Sequence, residues 1–343
     1  LRAYRPLVLA DLHEYPLTAT HRQTFHALQR SDLLLQYATV ANTPEALTRV
    51  SETGFRQPLL QSLAREGLTA DWFHLPPAEA GERRLAMGGL QPDTLRNVQG
   101  LRNGIGFLLE TRGLDLGRMH LERRVHSHVV AVNSLLQSAA AQAELLQALR
   151  SEWDAQVAAS ACRGDMVVLA APTSTRRDML MLDPVTGADK WVPVHWESAL
   201  EWMPLTQRTR PCGYWLEAGA SDAVATLRVL GLTVLPLPAD AVLPAEGWRE
   251  LSRVSVVRPD ARGGVDDGMG VRLVQVSPEA LWLTATAGSW WVPMDQPLAH
   301  LAVAALEPDT PFSAYAQRLL PTLHSAARVL AVPRLLPERH NIP

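Results

Sequence analysis

The sequence predicts an α/β protein, and three observations carry that reading. Two apolar runs, Leu7-Val8-Leu9-Ala10 and Phe107-Leu108-Leu109, are too short for helices, and each ends in residues able to do acid–base or metal chemistry. From about 118 to 159 apolar residues recur at helical spacing: Val125, Val129, Val132, Leu135, Leu136, Ala139, then Leu145, Leu146 and Leu149. Beyond Cys162 short β-type runs alternate with glycine and proline turns. Buried strands separated by amphipathic helices build a sheet with helices on its faces. In such sheets the strand ends aim side chains into the crevice where ligands bind.

The elements follow in order. Residues 5–12 read as a buried strand that begins at Pro6 and delivers His13 at its end. Segment 20–42 reads as a helix capped by Thr20, with Phe25, Leu28, Leu33, Leu34, Tyr37 and Ala38 on its apolar side. A second helix spans 44–66 and stops at Gly67. Residues 74–104, rich in proline and glycine, form a long ordered loop ahead of a second buried strand at 105–111, which ends in Glu110-Thr111. One long helix, broken or continuous, closes this half. The remainder is β-rich, with runs at 166–169, 179–182, 254–257 and 281–284 and one helix over 221–230 ending at Gly231. The texture changes at about 160, so two domains are expected, 1–160 and 161–343.

Bulk properties exclude several classes. A formal charge of −3 leaves no electrostatic footprint for nucleic acid or an anionic membrane. The longest apolar runs fall well short of the roughly 20 residues a membrane span requires. Cys162 and Cys212 do not form a Cys-x-x-Cys pair, which excludes a zinc ribbon or a redox dithiol. They are either two unpaired buried thiols or one disulfide, and the second choice implies a periplasmic or secreted protein. No Gly-x-Ser-x-Gly, Walker A loop or Gly-x-Gly-x-x-Gly occurs, which argues against serine hydrolases, P-loop NTPases and dinucleotide enzymes. His120-x-Glu122 and His195-x-Glu197 match the His-x-Glu of a zinc deaminase, but its Pro-Cys-x-x-Cys partner is missing. His126 and His128, two apart on a helix, point to different faces. Trp282, Trp290 and Trp291 serve core packing in preference to a stacking surface.

Three segments carry a resemblance: Asp11-Leu12-His13-Glu14; Met87-Gly88-Gly89-Leu90-Gln91-Pro92-Asp93-Thr94-Leu95-Arg96-Asn97; and Gly100-Leu101-Arg102-Asn103 through Glu110-Thr111-Arg112-Gly113. Over roughly the first 150 residues the chain resembles the zinc metallocarboxypeptidases of the M14 family, in a bacterial multidomain branch. The resemblance implies part of a carboxypeptidase-type mixed sheet with flanking helices, followed by a β-rich α/β accessory domain. It implies Zn2+ as cofactor, His13 as the third zinc ligand and Glu110 as general base about a hundred residues later. The family's first two ligands form a His-x-x-Glu motif, and its Asn-Arg pair that grips the substrate carboxylate also precedes the third ligand. No His-x-x-Glu occurs in the 343 residues, which start with Leu1 almost on the first strand, so an N-terminally truncated catalytic domain is expected. Where the family has a tyrosine shortly before its Gly-Gly, this chain has Glu82-Arg83-Arg84.

Each candidate has a bland alternative. Asp11 shares a strand face with His13 and either orients the imidazole or pairs with Arg112. Glu110 is a metal-adjacent base or an ion-pair partner of Arg112, Arg102 or Arg118. Arg96 with Asn97 grips a substrate carboxylate, or Asp93 and Asn97 merely satisfy turn backbone. The expected activity is hydrolysis of a C-terminal peptide bond in the intact protein, the fragment alone being inactive. The runner-up is an amidohydrolase of the aspartoacylase and succinylglutamate desuccinylase type, acting on N-acyl amino acids. A non-catalytic binding protein that keeps the fold is the third reading.

Overall fold

The computed structural model describes residues 3–114, 116–256 and 270–333. The chain is α/β and divides into two compact units, one of Pro6–Arg150 with Ala170–Pro204, the other of Leu1–Arg5, Ser151–Leu169 and Leu205–Pro343.

The first unit is built on a four-stranded mixed sheet. Its strands are β1 (Val8–Pro16), β3 (Leu33–Tyr37), β4 (Ala70–Trp72) and β7 (Ile105–Leu114), in the order β1-β7-β3-β4. β1 runs parallel to β7, β7 antiparallel to β3, and β3 parallel to β4. Phe107 and Leu109 of β7 and Leu33, Leu34 and Leu35 of β3 are buried, so both faces of the sheet are covered. On one face lies α4 (Leu95–Leu101), seated on Gly106. A Cβ at Gly106 would stand 2.7 Å from the Arg96 carbonyl oxygen and 2.8 Å from its Cα. The other face carries α5 (Leu121–Ala141), whose His128 reaches Thr111 (3.2 Å), and the turn holding Phe55, which packs on Phe107.

Sequence expectations change at three places: 20–42, 74–104, and the ends of β1 and β7, which run on past His13 and Glu110 to Pro16 and Leu114. Residues 20–42 are not one helix. α1 (Ala19–Phe25), capped by Thr18, ends at His26 with φ +47, and the chain re-enters the sheet as β2 (Leu28–Gln29) and β3. All five residues of β3 are buried, and a run that is apolar on both faces offers no period to separate strand from helix. The 44–66 helix is present as α2 (Glu45–Val50), a π turn over Ser51–Arg56 and α3 (Gln57–Arg65), followed by Gly67 at φ +66. The loop at 74–104 contains β5 (His74–Leu75), β6 (Arg84–Met87) and α4. The long helix breaks at Gln142 into α5 and α6 (Ala143–Ala159).

A second sheet of this unit has the order β2-β8-β9-β6-β5, with most of β8 (Asp165–Leu182) and β9 (Asp189–Thr209), both long ribbon strands, within it. Its core gathers Phe25, Leu85, Met87, Met179, Met181, Val192, Val194 and Trp196.

The other unit holds a six-stranded sheet, β11-β14-β10-β15-β12-β13. The strands are β10 (Gly213–Leu216), β11 (Leu235–Pro236), β12 (Ala241–Val256), β13 (Val271–Ala285), β14 (Trp290–Pro293) and β15 (Ala326–Val329), with α7 (Ser221–Val229) between β10 and β11 and α8 (Ala299–Leu306) after β14. The run at 254–257 extends β12, although Val257 lies outside the described residues. Glu307 is fully buried and held by Tyr214 (2.7 Å), Arg208 (2.7 Å) and Arg328 (3.2 Å). Such a charge is tolerated only because every oxygen is paired. Cys162 and Cys212 form a disulfide, which resolves the choice between the two cysteine readings. Trp291 is core, at 1% exposed, whereas Trp282 is 74% exposed and packs no core. No described helix is long and apolar enough to cross a membrane.

Candidate functional site

β1 and β7 are hydrogen-bonded neighbours in a register that sets His13 beside Glu110 and Asp11 beside Leu108. Paired residues of parallel neighbours share a sheet face, and alternation puts Asp11 on that face too. The face is the one under α4, since Gly106 and Glu110 of β7 are an even number of residues apart and Gly106 touches Arg96.

Asp11 Oδ1 lies 2.8 Å from His13 Nε2. With the carboxylate as acceptor, the imidazole is the tautomer protonated on Nε2, and the lone pair sits on Nδ1. The side chains of His13 and Asp11 are 38% and 24% exposed, so the pair opens to solvent. Glu110 lies deeper. Burial raises its pKa above the ordinary carboxylate value, while His13 and Arg96 act against that rise and Asp11 reinforces it.

Arg96 is 1% exposed, and burial lowers its pKa to about 10 against the opposing pull of Asp93, Glu110 and Asp11. Its Nη2 donates to the Gly89 carbonyl at 3.3 Å, while its buried Nε has no hydrogen-bond partner. Gly88 gives the guanidinium room, because a Cβ there would come within 2.4 Å of Nη2. Asn97 is fully buried and committed to backbone: Oδ1 accepts from Thr39 N–H (3.0 Å), and Nδ2 donates to the carbonyls of Gly89 (2.9 Å) and Gln91 (2.7 Å). Both amide protons are used, so Asn97 pins the loop that carries Arg96. Arg112 donates to the Gln29 carbonyl (3.0 Å) and lines a cleft with Asp32 and Arg123, where Arg123 grips Asp32 at 2.6 and 2.8 Å. The fold thus brings Asp11, His13, Glu110 and Arg96 together, with Asn97 behind them and Arg112 turned to another partner.

The structure gives a role to one residue, His128, that its helix position alone left without one. His128 Nε2 stands 3.1 Å from the His13 carbonyl oxygen and 3.2 Å from Thr111 Oγ1. It steadies β1 from the opposite face, beside the Arg124–Glu14 ion pair (2.5 Å). The available signal was the spacing of four from Arg124, which puts both on the inward stripe of α5.

The donor types suit one corner of a zinc site, an imidazole with an orienting carboxylate and a second carboxylate abreast. Their number does not complete one. Among the described residues no group of three or more His, Cys, Asp or Glu side chains is placed to hold a metal ion.

No family model and no solved structure matches the chain. Among curated proteins it is similar to "Carboxypeptidase 2" of Trichophyton rubrum, 26% identical over 307 residues, and to "Carboxypeptidase 2" of Trichophyton equinum, 26% identical over 308 residues. It is also similar to "Probable carboxypeptidase 2" of Arthroderma benhamiae, 26% identical over 307 residues. Each alignment covers 89% of this chain and 56% of the relative, so the chain spans a little over half the length of the curated proteins it matches.

Proposed function

We propose that this chain carries part of the active site of a carboxypeptidase-type metallopeptidase of the M14 kind. The observation that supports the reading most is His13 abreast of Glu110 in the middle of two parallel strands, over the face where Arg96 is buried. The fungal relatives named carboxypeptidase point to the same chemistry.

In this reading Glu110 is the general base. It takes a proton from the water that attacks the scissile carbonyl and returns it to the departing amine. Partial burial suits that task, because a carboxylate held above its ordinary pKa accepts a proton more readily near neutral pH, while the Arg96 guanidinium opposes that rise. Asp11 fixes the His13 ring and its tautomer, leaving Nδ1 as the donor atom for a metal. Arg96, whose buried Nε has no protein partner, is the residue assigned to a substrate carboxylate, and Asn97 holds its loop in place. Zinc, when bound, would acidify the attacking water and polarise the carbonyl. Three protein ligands are usual for such an ion, so in this reading donors besides His13 complete the set. The Cys162–Cys212 disulfide fits a periplasmic or secreted setting.

The test is hydrolysis by the intact protein of a peptide with a free C-terminus, the same peptide amidated, and N-acetyl amino acids. Release of the last residue from the free peptide alone is expected, with loss on chelation. Hydrolysis confined to N-acetyl amino acids would favour the amidohydrolase reading, and peptide binding without cleavage of any substrate would favour a binding protein.

A further inference from the structure

Two sequence features left unused by the hydrolytic site meet elsewhere in the same unit. Glu82-Arg83-Arg84 leads into β6, and His195-x-Glu197 lies on β9; the strands run parallel with Arg84 opposite His195. Arg84 is neutralised by Glu82 (2.7 Å) and Glu197 (3.0 Å). Arg83 is held differently. Its Nε and Nη2 donate to the Pro193 carbonyl at 3.3 and 3.0 Å, which fixes the guanidinium without cancelling its charge.

Arg83 opens on a cleft of about 360 Å3 lined also by Arg176, Arg177, Asp178, Pro193 and His195. Arg177 is immobilised by stacking on Trp196 (3.9 Å) and by Asp71 (3.1 Å). Arg176 is exposed. With Arg177 paired to Asp71, the lining presents two further guanidiniums, Arg83 and Arg176, against the Asp178 carboxylate, in a chain whose net charge is −3. Guanidinium forks bind oxyanions bidentately, and pre-fixed forks lose little freedom on binding.

Arg83, just before β6, and Arg176, on β8, come from different segments and His195 adds a ring nitrogen, so the donors suit a tetrahedral group with several acceptor oxygens better than one planar carboxylate, which a single fork satisfies. The volume lies within the range of small-molecule sites, roughly 300–1,000 Å3, and exceeds what a bare oxyanion fills.

We propose that the Arg83–Arg176–His195 cleft is a binding site for a tetrahedral oxyanion, phosphate or sulfate, carried on an ester. The proposal is independent of the hydrolytic reading.

Calorimetric titration of the chain with glucose 6-phosphate, inorganic phosphate and glucose tests it. Saturable binding of the sugar phosphate is expected, with none of glucose. Arg83→Gln and Arg176→Ala should each weaken binding roughly tenfold, as loss of a charge-assisted hydrogen bond does. Arg176 is exposed, so its variant should keep the wild-type unfolding midpoint. Inorganic phosphate binding as tightly as the ester would support the oxyanion site and assign it to the free ion. No binding of either phosphate at millimolar concentration, or wild-type affinity in both variants, would overturn the proposal.

Discussion

Replacing Gly106 by alanine tests how the sheet positions the site. The added Cβ meets the Arg96 carbonyl oxygen at 2.7 Å and the Arg96 Cα at 2.8 Å, both backbone atoms, with Gln99 Cβ at 3.0 Å. Ordinary carbon contacts begin near 3.5 Å, so α4 must retreat by roughly 0.7 Å or more. Overpacking of this kind costs about 1–3 kcal/mol, and the entropy gained by removing a glycine from the unfolded chain returns about 0.4–1 kcal/mol. A net loss of about 1–2 kcal/mol is expected in denaturant titration, larger for Gly106→Val. Gly89→Ala is the control, because its Cβ meets nothing closer than Gln91 N at 4.0 Å, and it should stay within about 0.5 kcal/mol of the parent. Retreat of α4 also carries Arg96 away from Glu110, so the Glu110 pKa, followed by carboxyl carbon NMR, should rise further in Gly106→Ala. Equal stability of the two alanine variants, with an unmoved Glu110, would refute the idea that Gly106 sets the distance.

Asn97→Ala leaves Thr39 N–H and the Gln91 carbonyl without their partner and the Gly89 carbonyl with Arg96 alone, and should cost about 2–3 kcal/mol in the same titration; a loss below about 1 kcal/mol would show the loop held by other means. His21 is buried with both ring nitrogens unpartnered, and burial lowers its pKa from 6.5 to about 4. The folded state then binds fewer protons than the unfolded one between those values, so its stabilising effect is complete above pH 6.5 and lost as pH falls toward 4, a change of about 3 kcal/mol. His21→Leu should flatten that part of the stability–pH curve, and an unchanged slope would contradict the assignment. Reducing Cys162–Cys212 opens a bridge spanning 50 residues, worth up to about 4 kcal/mol by loop entropy, and should lower the unfolding midpoint of the unit that contains it. An unaltered midpoint after verified reduction would rule that contribution out.

What the sequence revealed of the fold follows the physics of each element. β1 and β7 were legible because short apolar runs ended at polar residues, and α5 and α6 because their stripe persists over many turns. β3 was not, since Leu33 to Tyr37 is buried on both faces and the neighbouring apolar residues mimic a helical period. The strands inside 74–104 are two to four residues long and owe their conformation to pairing with each other and with the distant β9. At the site, proximity of Asp11 and His13 follows from alternation along one strand, whereas their alignment with Glu110 depends on a register between strands about a hundred residues apart. The backbone duties of Asn97 and the reach of His128 depend on tertiary packing that no local pattern encodes.

The most direct measurement is the rate at which the intact protein releases the C-terminal residue of a peptide when Glu110 is replaced by glutamine. That amide keeps size and hydrogen bonding but cannot accept the proton, so kcat should fall by about 10²–10⁴ while peptide affinity stays within a few-fold. Glu110→Gln turning over at the parent rate would contradict the role of Glu110 as base and with it the hydrolytic site beside His13.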